Sequence, residues 1–295
     1  MNVLQKYADF LRFTYKMPFD FAKQGTMGTG GVAPLALFPE NEAQMLEILA
    51  LLQQKQLPYC IVGNLSNTLA ADGTIRKVVV CTKHMKYTRL SGGYLYAEAG
   101  INSGRLLQRC ISAGVSGLEF LEGIPCTLGG ALYMNAGVNG AHMSDVVETV
   151  RIYRDGRVQT IPLHDCAYDY KSSVFMGSSD VILGATMRLT PASPAYIQEQ
   201  IAIYKNRRSH LPKGKSLGCI FKNPKGRLAG ELIDGAGLKG LRIGGAFVSQ
   251  EHANFIINEY NATSQDVRTL IMLIKNAVYA QYKIVLEEEI RYLES

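Results

Sequence analysis

The sequence predicts an α+β fold, and three observations carry that prediction. Predicted strands dominate the first two thirds, and a helix–strand mixture follows without the regular alternation of a βαβ series. The length of 295 residues corresponds to about two domains. An apolar content of 47% with 19% charged residues supplies a core and a solvated surface.

Taken in order, residues 1–22 open the chain as a helical segment with charges every few positions. They lack the continuous apolar stretch of a secretory signal. Residues 41–56 have a helical rhythm, with Asn41 as N-cap and Met45, Leu46, Leu49 and Leu52 as the apolar stripe. A short apolar run at 60–63 leads into GNLSN at 63–67, and strands follow at 77–82 and 94–100. Residues 102–114 form a helix by their asparagine cap, the stripe Leu106, Leu107, Cys110 and Ile111, and the closing Gly114. Residues 149–163 read as a hairpin turning at Asp155 and Gly156, a dipeptide suited to a type I′ turn. A strand at 181–189 ends at TPASP (190–194), whose prolines mark the domain boundary. Beyond it, residues 195–208 and 264–282 are helical and 253–258 is a strand. The second helix carries Val267, Leu270, Ile271, Ile274 and Val278 on one face.

The densest signal is GLEFLEGIPCTLGGALYMNAGVNG at 117–140. Glycine gives access to positive φ and close backbone approach at an entropic cost, so this block is not expected to be an ordinary core strand or helix. Two readings stay open: a tight-turning connection between packed elements, or a loop whose N–H groups line a pocket for an anion such as a pyrophosphate.

Several function classes are excluded. The six cysteines are scattered with no C-x-x-C pair, which points to reduced thiols and no zinc site. The five histidines show no ligand spacing, so no metal is expected. No apolar run approaches the ~18 residues of a membrane span, and the chain is expected in the cytoplasm. The net charge of +6 suits a phosphate-bearing substrate without demanding one. GAGLKG at 235–240 spells G-x-G-x-x-G, but a helical segment precedes it and a strand follows, the reverse of a dinucleotide fingerprint. It reads as a helix C-cap and turn. The basic stretch 205–215 lacks interleaved aromatics and reads as a solvated helix end, so no nucleic acid is expected.

From about residue 23 to the C-terminus, a series of motifs in fixed order resembles the UDP-N-acetylenolpyruvoylglucosamine reductase (MurB) family, in its compact subtype. The segments are TMGTGG at 26–31, GNLSN at 63–67 followed by Asp72 and Gly73, and the glycine-rich block. They continue with YKSSVF at 170–175, GCIFKNP at 218–224, AGLKG at 236–240, HANF at 252–255 and LEEEIR at 286–291. The resemblance implies a two-part FAD-binding domain of the vanillyl-alcohol-oxidase/PCMH type over 23–193, with parts at about 23–83 and 84–193. A smaller α+β substrate-binding domain over 194–295 follows.

It also implies an activity. NADPH reduces the flavin, and the reduced flavin then reduces a UDP-sugar enolpyruvyl ether to UDP-N-acetylmuramate, in a monomer. The residues implied for FAD are Gly63, Asn64, Leu65, Ser66, Asn67, Gly123, Thr127, Gly129, Gly130, Asn135 and Gly137. Lys171 and Glu289 are implied for the developing enolate, Cys219 as proton donor, and Lys222 and Asn223 for substrate phosphates. Four positions depart from the family pattern. Lys171 stands in place of an arginine and loses the planar fork that grips a carboxylate. Cys219 replaces a serine, with a thiol that is intrinsically the stronger acid. Leu65 and Cys126 replace glycines. A flavoprotein acting on another small molecule and a non-catalytic binding paralogue are the alternatives.

Overall fold

The structure, a computed structural model, describes residues 7–295, which form two compact units. The first comprises residues 7–16, Leu35–Asn64 and Val78–Ser209; the second comprises Met17–Pro34, Leu65–Lys77 and His210–Ser295.

In the first unit, Val78–Cys81 lies between Leu35–Leu37 and Tyr59–Val62, parallel to both. The run VVVC is buried throughout, as a strand covered on both faces requires. Tyr15–Lys16 closes the other edge antiparallel to Leu35–Leu37. The helix Glu42–Gln54 starts where Asn41 accepts from the Gln44 N–H at 3.0 Å, and it buries Met45, Ile48, Leu49 and Leu52. Ile48, not Leu46, completes the buried stripe. A five-stranded antiparallel sheet runs in the order Arg157–Pro162, Val147–Arg154, Val181–Arg188, Tyr94–Glu98, Thr88–Ser91. Its hairpin turns at Asp155 (φ 50°) and Gly156 (φ 79°), so both central residues are left-handed, as expected. Helix Ser103–Ala113 has the expected Asn102 cap and ends on Gly114 in the left-handed conformation.

The glycine-rich block departs from expectation by containing a helix, Leu128–Tyr133. The physical reason is close packing: a Cβ on Gly129 would stand 3.0 Å from the Ala99 Cβ and 3.2 Å from its carbonyl oxygen. Gly129 serves approach of a short helix to a strand end, not loop flexibility.

In the second unit, Arg242–Ile243, Ala246–Val248 and Ile256–Asn258 form an antiparallel sheet packed on helices Ala229–Gly235 and Ser264–Tyr282. The first helix ends at Gly235, Gly237 takes φ 72°, and a strand follows, so GAGLKG is the C-cap and turn expected. The strand expected at 253–258 is confined to its last three residues.

Two domain expectations meet a different arrangement. Residues 7–22 hold a single 3-10 turn at Ala8–Phe10, the strands Tyr15–Lys16 and Phe19–Asp20, and the start of helix Phe21–Gln24, not one helical segment; residues 1–6 lie outside the described residues. Pro18 has no N–H to donate and ends any helix there. The units also exchange at Ser209 and His210, not at 194, and segments 17–34 and 65–77 belong with the C-terminal residues. Backbone pairing explains this. Thr68–Ala70 pairs in parallel with Arg291–Leu293, the Gly31 N–H donates to Ala71 O, and Phe19–Asp20 pairs with Val32–Ala33. Asp72 caps helix Ser264–Tyr282 by accepting from the Ser264 and Gln265 N–H groups, each at 3.0 Å. Among the described residues, no helix is long and apolar enough to cross a membrane.

Ile274 is fully buried on the inner face of that helix, whereas Met272 is 54% exposed. Ile274→Ala is therefore expected to lower stability by about 2–5 kcal/mol, and Met272→Ala to stay within about 0.5 kcal/mol, as read by urea unfolding.

Candidate functional site

In the first unit, two loops are pressed together. A Cβ on Gly63 would lie 2.2 Å from the Thr127 hydroxyl oxygen, so only glycine fits. Asn64 Nδ2 donates to Pro125 O at 2.7 Å, and Arg208 Nη2 donates to Gly123 O at 3.3 Å. Thr127 is buried and caps helix Leu128–Tyr133 by accepting from the Gly130 N–H. The Leu128 and Gly129 N–H groups are taken by Ile101 O and Ala99 O. The N–H groups of Gly63, Asn64, Gly123 and Thr127 donate to no protein acceptor among the described residues. This donor set suits an anion held by backbone amides.

Other residues implied for FAD in this unit have structural partners. Asn135 is buried with φ 43°; its Oδ1 accepts from the Ser144 N–H and its Nδ2 donates to Asp169 O. Gly137 lies in a short strand pair, where a Cβ would come 2.3 Å from the His142 ring. Lys171 sits in a tight turn closed by two backbone bonds between Asp169 and Ser172, at φ 51°. Cys126 takes no positive φ and is buried, and burial pushes its thiol up to about 12 against the opposing pull of Arg208 and Lys171.

In the second unit, Leu65 is buried at φ 55°, and the half-buried Ser66 hydroxyl bonds to no protein group among the described residues. Asn67 Nδ2 donates to Glu289 O at 3.1 Å, and its own carbonyl accepts from the Arg291 N–H. Three extended segments meet around Cys219. Cys219 bridges Phe255, Ile220 donates to Asn254 O, and Ile220 O accepts from the Glu289 N–H at 2.8 Å. Lys222 follows, its ammonium 2.5 Å from Glu287 Oε1 and its N–H on Glu287 O. Asn223 Oδ1 accepts from the Ala229 N–H, which fixes the orientation of its amide. Cys219 and Asn223 line an open cavity of about 250 Å³ together with Glu231, Lys239, His252 and Asn254. The unit thus brings Cys219, Glu289, Lys222 and Asn223 onto neighbouring segments. Lys171 belongs to the first unit.

The sequence did not single out Arg208, Ser103 or Glu287. Arg208 lay in a stretch read as a solvated helix end, and nothing in the sequence pairs it with Gly123, 85 positions earlier.

Comparison with known proteins shows two family models in chain order. Residues 33–161 match the FAD binding domain, and residues 209–293 match the C-terminal domain of UDP-N-acetylenolpyruvoylglucosamine reductase. The reductase of Geobacter metallireducens is 40% identical over 273 residues, spanning 92% of this chain and 91% of its own. The chain belongs to the UDP-N-acetylenolpyruvoylglucosamine reductase family. The Streptococcus pneumoniae reductase is 34% identical over 90% of this chain and 89% of its own. The crystal structure of the Thermus caldophilus reductase (MurB) superposes with a TM-score of 0.81 at 32% identity, covering 96% of this chain and 99% of that one. A BBE-like protein of Physcomitrella patens, at 16% identity and TM-score 0.50 over 65% of this chain and 45% of that one, shares the fold alone. The α+β class and the flavin-domain architecture implied by the reductase resemblance are therefore borne out.

His252 carries a pH dependence. Burial, with His210 and Lys239 nearby, holds its imidazole below the usual histidine range, and its Nδ1 accepts from the Asn254 N–H at 3.2 Å. A depressed histidine favours the neutral form in the fold. Its contribution is present above the unfolded pKa of about 6.5 and is lost as the pH falls through the folded value. The urea midpoint of the wild type is expected to drop on going from pH 7.5 to 5.5, and His252→Gln to drop less over the same range.

Proposed function

We propose that this protein is an FAD-dependent, NADPH-driven reductase of a UDP-sugar enolpyruvyl ether, yielding UDP-N-acetylmuramate for cell-wall precursor synthesis. The observation that carries the reading is the placement of Cys219 and Glu289 on adjacent hydrogen-bonded segments beside a cavity lined by Cys219 and Asn223. Reductase relatives matching nine tenths of the chain support it.

FAD fits the residues present. Its diphosphate suits the amides of Gly63, Asn64, Gly123 and Thr127, with no side chain intruding at Gly63. When bound, the flavin supplies hydride acceptance from NADPH and hydride donation to the substrate's vinyl carbon. The chain does the rest. Lys171 supplies positive charge and Glu289 a hydrogen-bonding carboxyl for the enolate that develops on the substrate, since charge placed where charge develops is usually the largest catalytic term. Cys219 Sγ gives its proton to the neighbouring substrate carbon. The Lys222 ammonium and the oriented Asn223 amide hold the UDP phosphates, Glu287 keeping the lysine in place. The enzyme works as a cytoplasmic monomer in this reading.

Purified protein is expected to be yellow or to take up added FAD, and a colourless protein that takes up none overturns the reading. Cys219→Ala is expected to leave reduction by NADPH nearly unchanged and to slow the oxidative half-reaction by about 10²–10⁴, while Cys219→Ser keeps much of the rate. Stopped-flow absorbance of the two half-reactions separates these outcomes, and an unimpaired oxidative half-reaction removes Cys219 from the chemistry.

A further inference from the structure

Residues 123–127 sort their backbone groups by sign. Each carbonyl is held by a donor of the first unit. Gly123 O accepts from Arg208 Nη2 at 3.3 Å, and Ile124 O from Ser103 Oγ at 2.6 Å and from the Cys126 N–H at 2.8 Å. Pro125 O accepts from Asn64 Nδ2 at 2.7 Å, Cys126 O from the Ser103 N–H at 3.1 Å, and Thr127 O from the Ala131 N–H at 2.9 Å. Gly63 O, on the facing loop, accepts from the buried Cys81 thiol at 3.8 Å. The N–H groups of Gly63, Asn64, Gly123 and Thr127 have no such protein partner among the described residues.

Carbonyl oxygens are the backbone's negative partial charges, and an anion is repelled by any that face it. Tying them back leaves amides as the groups an anion meets, which is what a backbone nest needs. Pro125 contributes by lacking an N–H, and its fixed φ suits the three-residue turn closed by the Cys126 N–H on Ile124 O. Three of the tethers are side chains, and two of them, Asn64 and Arg208, reach across 61 and 85 positions of the chain, against 21 for Ser103.

We infer that the side chains of Asn64 and Arg208 are positioning groups for the FAD diphosphate, acting through the carbonyls they hold and not by touching the cofactor. The inference rests on the flavin reading above and adds a side-chain task to the place among the FAD-binding residues that the resemblance implied for Asn64. Without Nδ2, Pro125 O loses its donor and is free to turn toward the anion, so an attraction gives way to a repulsion. Losing one such hydrogen bond corresponds to about a tenfold loss of affinity.

The test uses full-length protein freed of flavin, with three readouts: FAD titration by flavin fluorescence, amide hydrogen exchange without FAD, and thermal melting without FAD. Asn64→Ala is expected to raise the Kd for FAD about tenfold, and Asn64→Asp to raise it further by adding a negative charge. Arg208→Gln is expected to weaken binding, and Arg208→Lys, which keeps a cationic donor, to recover most of it. In FAD-free Asn64→Ala the Ser103 and Cys126 amides exchange faster, because the carbonyls they bond are no longer fixed, while the melting temperature moves by no more than about 3 °C. Weakened binding with unchanged exchange would mean direct contact and overturns the inference. A large loss of melting temperature with FAD affinity intact would mean a structural role and also overturns it. Wild-type uptake of FAD with all variants alike defeats this inference alone; wild-type failure to take up FAD defeats the flavin reading and the inference together.

Discussion

The approach of Gly63 to Thr127 is the constraint on which the first unit's loops depend. With 2.2 Å between a hypothetical Cβ and the Thr127 hydroxyl, no side chain larger than hydrogen leaves the two loops where they are. Thr127 cannot give way. It caps helix Leu128–Tyr133, bridges Asn102 in the backbone, and is followed by amides committed to Ala99 and Ile101. Those acceptors sit just past the end of strand Tyr94–Glu98, so the sheet fixes the loop through two residues. The cost is that the helix's first donors are spent on the protein. Any anion at these loops must be met by the loop amides themselves.

The two lost glycines read differently once the backbone is known. Cys126 occupies ordinary φ, so a side chain there costs no strain, and burial keeps its thiol neutral. A thiolate beside a diphosphate would repel it; a neutral thiol does not. Leu65 does occupy the left-handed region, which costs a non-glycine residue on the order of 1–3 kcal/mol. Its side chain is 5% exposed, and burying a leucine contributes about 1.5–3 kcal/mol. The two terms are of equal size. A leucine can therefore stand where glycine is usual without unfolding its loop, provided its side chain stays buried.

What was legible in the sequence divides along physical lines. Helices with a polar N-cap and a 3.6-residue apolar period were readable to within a residue or two, as in Glu42–Gln54, Ser103–Ala113 and Ser264–Tyr282. The Asp155–Gly156 turn was readable because its chemistry is local. The exchange of segments between units was not, because residues 17–34 and 65–77 follow their partners across the chain: Thr68–Ala70 answers to Arg291–Leu293, and Asp72 to a helix start 192 positions away. The candidate site residues stood out as motifs, but the partners their side chains take were not legible. Asn64, Asn67, Asn135 and Asn223 all spend an amide group on backbone atoms, and no local pattern reveals which carbonyl an asparagine will find.

In the second unit, the backbone around position 219 is fixed by hydrogen bonds from segments distant in the chain. Cys219 is placed by its neighbours' main chain. Asn254, buried at 3% exposure, accepts from the Phe221 N–H through Oδ1, donates to Phe221 O through Nδ2, and accepts from the Ile220 N–H through its own carbonyl. His252 in turn accepts from the Asn254 N–H, and the Glu289 N–H donates to Ile220 O. None of these bonds uses the Cys219 side chain. A serine or a cysteine at 219 would stand on the same backbone, so exchanging hydroxyl for thiol changes the acidity of the group and leaves its position to Asn254 and Glu289. The HANF motif is thus a positioning device for a residue more than thirty places before it.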